Sequence, residues 1–125
     1  MTMRPKTASS AVPALKLMRL AAEAAQSKKA EQIVGLDLSS LEGVADYFLI
    51  CSGSSEPQVK AITEAIEEKL RLAGAKPWHV EAGSRRWVLM DYVDVVVHVF
   101  HEKTREYYLL ERLWGDAGSV DLGLE

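Results

Sequence analysis

Apolar positions along the chain repeat with two different periods. From Pro13 onward, Leu15, Met18, Ala22 and Ala25 recur at steps of three and four, and Leu17 and Ala21 widen the stripe. That is the spacing of one buried face of a helix. Proline suits a first helical turn, where its missing N–H is no loss. Lys28 and Lys29 place positive charge at the negative end of the helix dipole, so the first helix is expected to end there. Ile33 to Leu38 reads as a short strand, followed by a connection through Ser39-Ser40-Leu41-Glu42-Gly43. Asp46 to Cys51 is nearly all apolar, as a strand covered on both faces is. Ser52-Gly53-Ser54-Ser55 then leads into a helix start, with Ser55 as cap, Pro57 in the first turn and Gln58 completing a capping-box spacing. Val59, Ile62, Ile66 and Leu70 form the inner stripe of this second helix, Glu64, Glu67, Glu68 and Lys69 face water, and Gly74 is its stop.

Downstream the period shortens to that of strands. Trp78 to Glu81, Arg86 to Tyr92 and Asp94 to His101 read as three strands, with a turn at Ala82-Gly83-Ser84. The short Tyr92-Val93-Asp94 link predicts a hairpin between the last two, although it lacks the favoured glycine. From Thr104, the positions Tyr107, Leu110 and Leu113 or Trp114 mark a third helix, stopped by Gly115. The expected order is therefore α-β-β-α-β-β-β-α. This is an α/β fold with a mixed five-stranded sheet flanked by helices. Residues 1–12, rich in Thr, Ser, Pro and Ala, read as a flexible N-terminal arm, 13–116 as the domain, and 117–125 as a flexible C-terminal tail.

Composition narrows the class. A chain of 125 residues is one domain. The single cysteine, Cys51, excludes an internal disulfide framework and a Cys-rich zinc site. No apolar run approaches the roughly 20 residues of a membrane-spanning helix, and the N-terminus lacks a secretory core, so the expected location is cytoplasmic. The net charge of −3 is uneven. Residues 1–29 carry six basic groups and one acid, whereas the remainder carries nine basic and 17 acidic residues. An acidic body is a poor match for phosphate backbones and a better one for a basic partner. Direct nucleic-acid binding is therefore not expected as the main contact.

Candidate chemistry is sparse. His79, His98 and His101 are the only histidines and form no metal-ligand motif; His98 and His101, three apart, fall on opposite strand faces and read as ordinary strand histidines. Cys51, at the end of a buried strand, reads as a small hydrophobe. Gly53-Ser54-Ser55 precedes a helix but lacks the lysine of a P-loop. Gly83-Ser84 followed by Asp94-Val95-Val96 has the layout of a nucleotidyltransferase signature, whose two strand carboxylates share a metal pair. Val96 occupies the second carboxylate position, and Asp91 is expected at the wrong distance and side to replace it. A nucleotide-binding enzyme using Asp94 is thus the alternative reading, disfavoured by Val96. No cofactor and no catalytic residue is expected. Aromatic residues crowd the second half: Trp87, Tyr92, Tyr107, Tyr108 and Trp114. Alternation puts Trp87, Leu89 and Asp91 on one strand face and Val88, Met90 and Tyr92 on the other. Such a strand is either core on both sides or part of a partner interface, where Trp, Tyr and Arg are enriched.

Four consecutive blocks sharpen this reading. They are Asp46 to Ser55 (DYFLICSGSS), Trp87 to Tyr92 (WVLMDY), Asp94 to Phe100 (DVVVHVF) and Arg105 to Trp114 (REYYLLERLW). In that order and spacing they resemble the ribosomal silencing factor RsfS family, also called YbeB or Iojap-like, over roughly residues 13–116. The resemblance implies a nucleotidyltransferase-like fold without catalytic carboxylates. It implies a non-enzymatic factor that binds the large ribosomal subunit through its fourteenth ribosomal protein. There the factor sterically blocks joining of the small subunit and represses translation under nutrient limitation. It also implies a homodimer when free. Interface roles carry over to Trp87, Val88, Leu89, Asp91 and Tyr92; Arg85 and Arg86 are added on position alone. Where the family has a glycine between these two strands, this chain has Val93. If that position requires a positive φ, valine is strained there.

Overall fold

A computed structural model describes residues 12–39, 45–82, 85–104 and 118–124. Helix α1 spans Ala14–Ser27 with Pro13 at its N-cap. It is followed by strands β1 (Glu31–Asp37) and β2 (Tyr47–Gly53), and by helix α2 (Glu56–Leu72). Strands β3 (His79–Glu81), β4 (Trp87–Asp91), β5 (Val95–His101) and β6 (Gly118–Ser119) complete the order. The six strands form one sheet in the order β3-β4-β5-β2-β1-β6. The β2–β5 pair is parallel and the others are antiparallel, so the sheet is mixed, as the segment order predicted.

Both faces of the sheet are buried, by different residues. On one face the two helices pack Leu17, Met18, Ala21, Ala22 and Ala25 of α1 and Val59, Ile62, Ile66 and Leu70 of α2 against Leu49, Cys51, Val88, Met90, Val97 and Val99. The other face holds Leu36, Phe48, Ile50, Val96 and Phe100, with Val34, Trp87 and Leu89 at its margin. Central β2 is buried from Phe48 to Gly53, in line with its nearly continuous apolar sequence.

Local chemistry sets the helix ends. The Ser55 hydroxyl accepts from the Gln58 backbone N–H at 3.2 Å, the cap the sequence suggests. The Gln58 side chain, however, reaches back one residue further than a capping box would. Its Oε1 accepts from the Ser54 N–H at 2.6 Å and from the Ser54 hydroxyl at 2.9 Å. Its Nε2 donates to the Lys28 and Lys29 carbonyls, each at 3.1 Å. One amide thus bridges the start of α2 to the end of α1, where carbonyls lack helical partners. At the far end of α2, Gly74 adopts φ +95°. The Ala75 N–H returns to the Leu70 carbonyl and the Gly74 N–H to Arg71, closing a Schellman motif.

Three expectations are corrected. Leu15 does not belong to the buried stripe of α1; it is 37% exposed, and Leu17 and Ala24 are buried. The sheet has six strands rather than five, because Gly118 and Ser119, in the segment read as a tail, pair with Asp37 and Leu36. The chain beyond them packs as well, since the Val120 N–H donates to the Gly35 carbonyl and Leu122 is buried. Gly35 permits that approach: a Cβ there would lie 2.9 Å from both Leu122 and Met18 side chains. Finally, Asp91 does not lie on the wrong side of the sheet from Val96, because the two are directly opposed in the β4–β5 pair. Residues 102–104 are helical, and the rest of the third helix expected from Thr104, with Tyr107, Tyr108 and Trp114, lies outside the described residues, as do the Gly83-Ser84 turn and residues 1–11.

Candidate functional site: the β4 face

Strand β4 lies one strand in from the β3 edge and pairs with β5 on its other side. Its register places Trp87 opposite Phe100, Leu89 opposite His98, and Asp91 opposite Val96. All six side chains share the face away from α1 and α2, as alternation requires. Phe48 of β2 joins them, its ring 4.5 Å from that of His98. The Trp87 ring lies 4.9 Å from Phe100, within the range of favourable aromatic pairs. Trp87 and Leu89 remain partly exposed, while Phe100 beneath them is fully buried. Arg86, just before the strand, is exposed, and its backbone carbonyl accepts from the His101 N–H at 2.8 Å. Arg85 is partly exposed beside it.

The seven residues expected at an interface are therefore divided by the sheet. Trp87, Leu89 and Asp91 come together on one face, next to Arg85 and Arg86 in the chain. Val88 and Tyr92 point the opposite way into the helix-side core and are 0% and 3% exposed. Burial pushes the Tyr92 phenol well above its ordinary pKa, with Glu67 nearby adding to the shift. Its hydroxyl has no hydrogen-bond partner among the described residues.

The hairpin between β4 and β5 turns at Val93, which adopts φ +76°. A β-branched residue is strained in that region. Three hydrogen bonds hold the turn: the Tyr92 N–H to the Val95 carbonyl at 2.8 Å, the Asp94 N–H to the Tyr92 carbonyl at 3.0 Å, and the Val93 N–H to Asp91 Oδ1 at 2.7 Å. Asp91, 6% exposed, is thus tied to the turn backbone.

His98 was missed as a site residue, being read as an ordinary strand histidine. Its Nδ1 accepts from the Trp87 indole N–H at 3.2 Å. The ring is 4% exposed, and burial pulls its pKa down to about 4. The sequence signal was available, since alternation puts His98 on the same face as Asp94 and Val96. The diagonal placement of His98 and Trp87 depends on the strand register, which the sequence alone does not supply.

Chemistry of the nucleotidyltransferase kind finds little support in this arrangement. Val96 sits in the buried apolar cluster. Among the described residues, no group of three or more His, Cys, Asp or Glu side chains could hold a metal ion. Cys51 is buried in the helix-side core. Gly53 brings the backbone close to α2, since a Cβ would meet the Val59 nitrogen at 3.2 Å, so that the Gly53-Ser54-Ser55 segment serves the helix start.

Fold and site together define a mixed-sheet α/β domain whose candidate site is an aromatic sheet face rather than a reaction centre. A family model described as "Ribosomal silencing factor during starvation" matches residues 11–125, and the chain belongs to that family. A ribosomal silencing factor RsfS from Halalkalibacterium halodurans is 48% identical over 107 residues, covering 85% of this chain and 92% of the relative. The factor of the same name from Bacillus subtilis is also 48% identical, with 85% and 91% covered. A crystal structure of a Chromobacterium violaceum protein superposes with a TM-score of 0.79 at 37% identity, covering 83% of this chain and 88% of that one. Both relatives are named ribosomal silencing factors, a regulatory role. Among the described residues, no helix is long and apolar enough to cross a membrane.

Proposed function

We propose that this chain silences translation by docking its β4 face on the fourteenth ribosomal protein of the large subunit, where its bulk blocks joining of the small subunit. The observation that carries the reading is the placement of Trp87 and Leu89. They are partly exposed on a packed sheet face, and exposed Arg86 immediately precedes Trp87 in the chain. A tryptophan on a rigid strand supplies large contact area at little entropic cost, the usual makeup of an interface hot spot. The acidic excess beyond residue 29 favours encounter with a basic ribosomal protein. Family membership supports the ribosomal role. Action as a homodimer when free, and in the cytoplasm, are part of the same proposal and rest on the resemblance alone.

Within the contact set, Trp87, Leu89, Arg85 and Arg86 meet the partner, buried Asp91 holds the turn at the end of the strand, and Val88 and Tyr92 support the strand from below. Co-sedimentation with purified large subunits separates these roles. Folded Trp87→Ala is expected to bind at least about 30-fold more weakly, the loss typical of a hot spot of roughly 2 kcal/mol. Tyr92→Phe is expected to bind like the parent. Unchanged binding by folded Trp87→Ala rejects the proposed face.

A further inference from the structure

We propose that His98 is a positioning residue for this contact face, holding the Trp87 indole in its docking orientation through a hydrogen bond to the Nδ1 lone pair. This rests on the docking role proposed above for Trp87. The geometry is specific. An indole N–H can only donate, so His98 Nδ1 must be the acceptor in the 3.2 Å contact. A histidine accepting at Nδ1 is neutral and carries its proton on Nε2. The ring is fixed from two further sides, by Phe48 at 4.5 Å and by Phe100, stacked at an 11° interplanar angle with 6.1 Å between centroids. The imidazole is thus a rigid, buried acceptor next to a partly exposed tryptophan.

Packing against Phe100 restrains the plane of the indole but does not specify which edge points inward. The hydrogen bond does, because reversing the indole would turn its N–H away from His98 and take this donor from the buried Nδ1. Holding one orientation in the free protein removes an ordering cost from association, which is how preorganisation raises affinity.

The experiment combines nitrogen-proton NMR with binding to purified large subunits. In the parent protein, the His98 ring nitrogens are expected to report the tautomer protonated at Nε2. A proton on Nδ1 at neutral pH would overturn the proposal without any variant. The Trp87 indole resonance, identified by its loss in Trp87→Phe, is expected to move upfield in His98→Phe, which keeps an aromatic ring but no acceptor. His98→Asn places a carbonyl oxygen near the Nδ1 position and is expected to return the resonance toward its parent value. Large-subunit binding should follow the resonance, about five- to tenfold weaker in His98→Phe and recovered in His98→Asn. An unmoved indole resonance in folded His98→Phe shows that the bond does not orient Trp87 and overturns the proposal. A moved resonance with unchanged binding overturns its role in docking. If Trp87→Ala itself binds normally, the contact face is wrong, whereas the resonance still reports whether His98 orients the indole.

Discussion

Val93 and His98 each sit in a local environment at odds with what their type prefers. A φ of +76° makes the Val93 turn costly for any residue with a Cβ, and most of all for a β-branched one. Glycine removes that strain but gives up the buried valine side chain and gains freedom in the unfolded chain. Alanine gives up the side chain and keeps much of the strain. The usual order, in which alanine is better than glycine by roughly 0.5–1 kcal/mol in a strand, should therefore invert. Val93→Gly is expected to be more stable than Val93→Ala by about 1 kcal/mol in urea unfolding. The His98 environment leads to a pH dependence. Its folded pKa of about 4 lies below the ordinary 6.5. Between these values the unfolded chain takes up a proton that the native state refuses, so stability falls as pH drops from 6.5 toward 4 and this contribution then levels off. The full loss is roughly 3 kcal/mol. Urea midpoints across that range should show the slope in the parent protein and a shallower one in His98→Asn.

At the scale of elements, the junction between α1 and α2 depends on one side chain. Gln58 ties the Ser54 backbone and hydroxyl to the last carbonyls of α1. Gln58→Ala should cost about 1–2 kcal/mol, the net worth of a few partly solvated hydrogen bonds. Gln58→Glu keeps the acceptor for Ser54 but brings a carboxylate to the Lys28 and Lys29 carbonyls, so it should recover only part of that loss. Urea denaturation of the two variants checks both statements. The same region shows what was legible in the chain. Helix α2 could be read almost residue by residue, because a strong apolar period coincides with a serine cap, an early proline and a glycine stop. Bridging by Gln58 was not legible, because it joins residues about 30 positions apart. Strand β6 escaped for a related reason. Gly118 and Ser119 have no strand period of their own and are sheet only through pairing with β1. On β4, alternation correctly sorted Trp87, Leu89 and Asp91 from Val88, Met90 and Tyr92. Which of the two faces lies under the helices required the tertiary packing.

The whole molecule joins a doubly buried sheet to a small, partly exposed aromatic strip. Strand β4 is paired on both sides and packed under the helices through Val88 and Met90, and the Asp91–Val93 turn anchors its end. No reacting group is needed for a domain of this size to act by occupying a surface. In the proposed role, binding at the β4 face prevents the ribosomal subunits from joining. The most direct measurement is light scattering on mixing purified small and large subunits, with the large subunits first incubated with increasing amounts of this protein. The rise in scattering is expected to be suppressed in proportion to the fraction of large subunits bound, and restored when folded Trp87→Ala replaces the parent. Normal subunit joining with large subunits saturated by the protein would rule that role out.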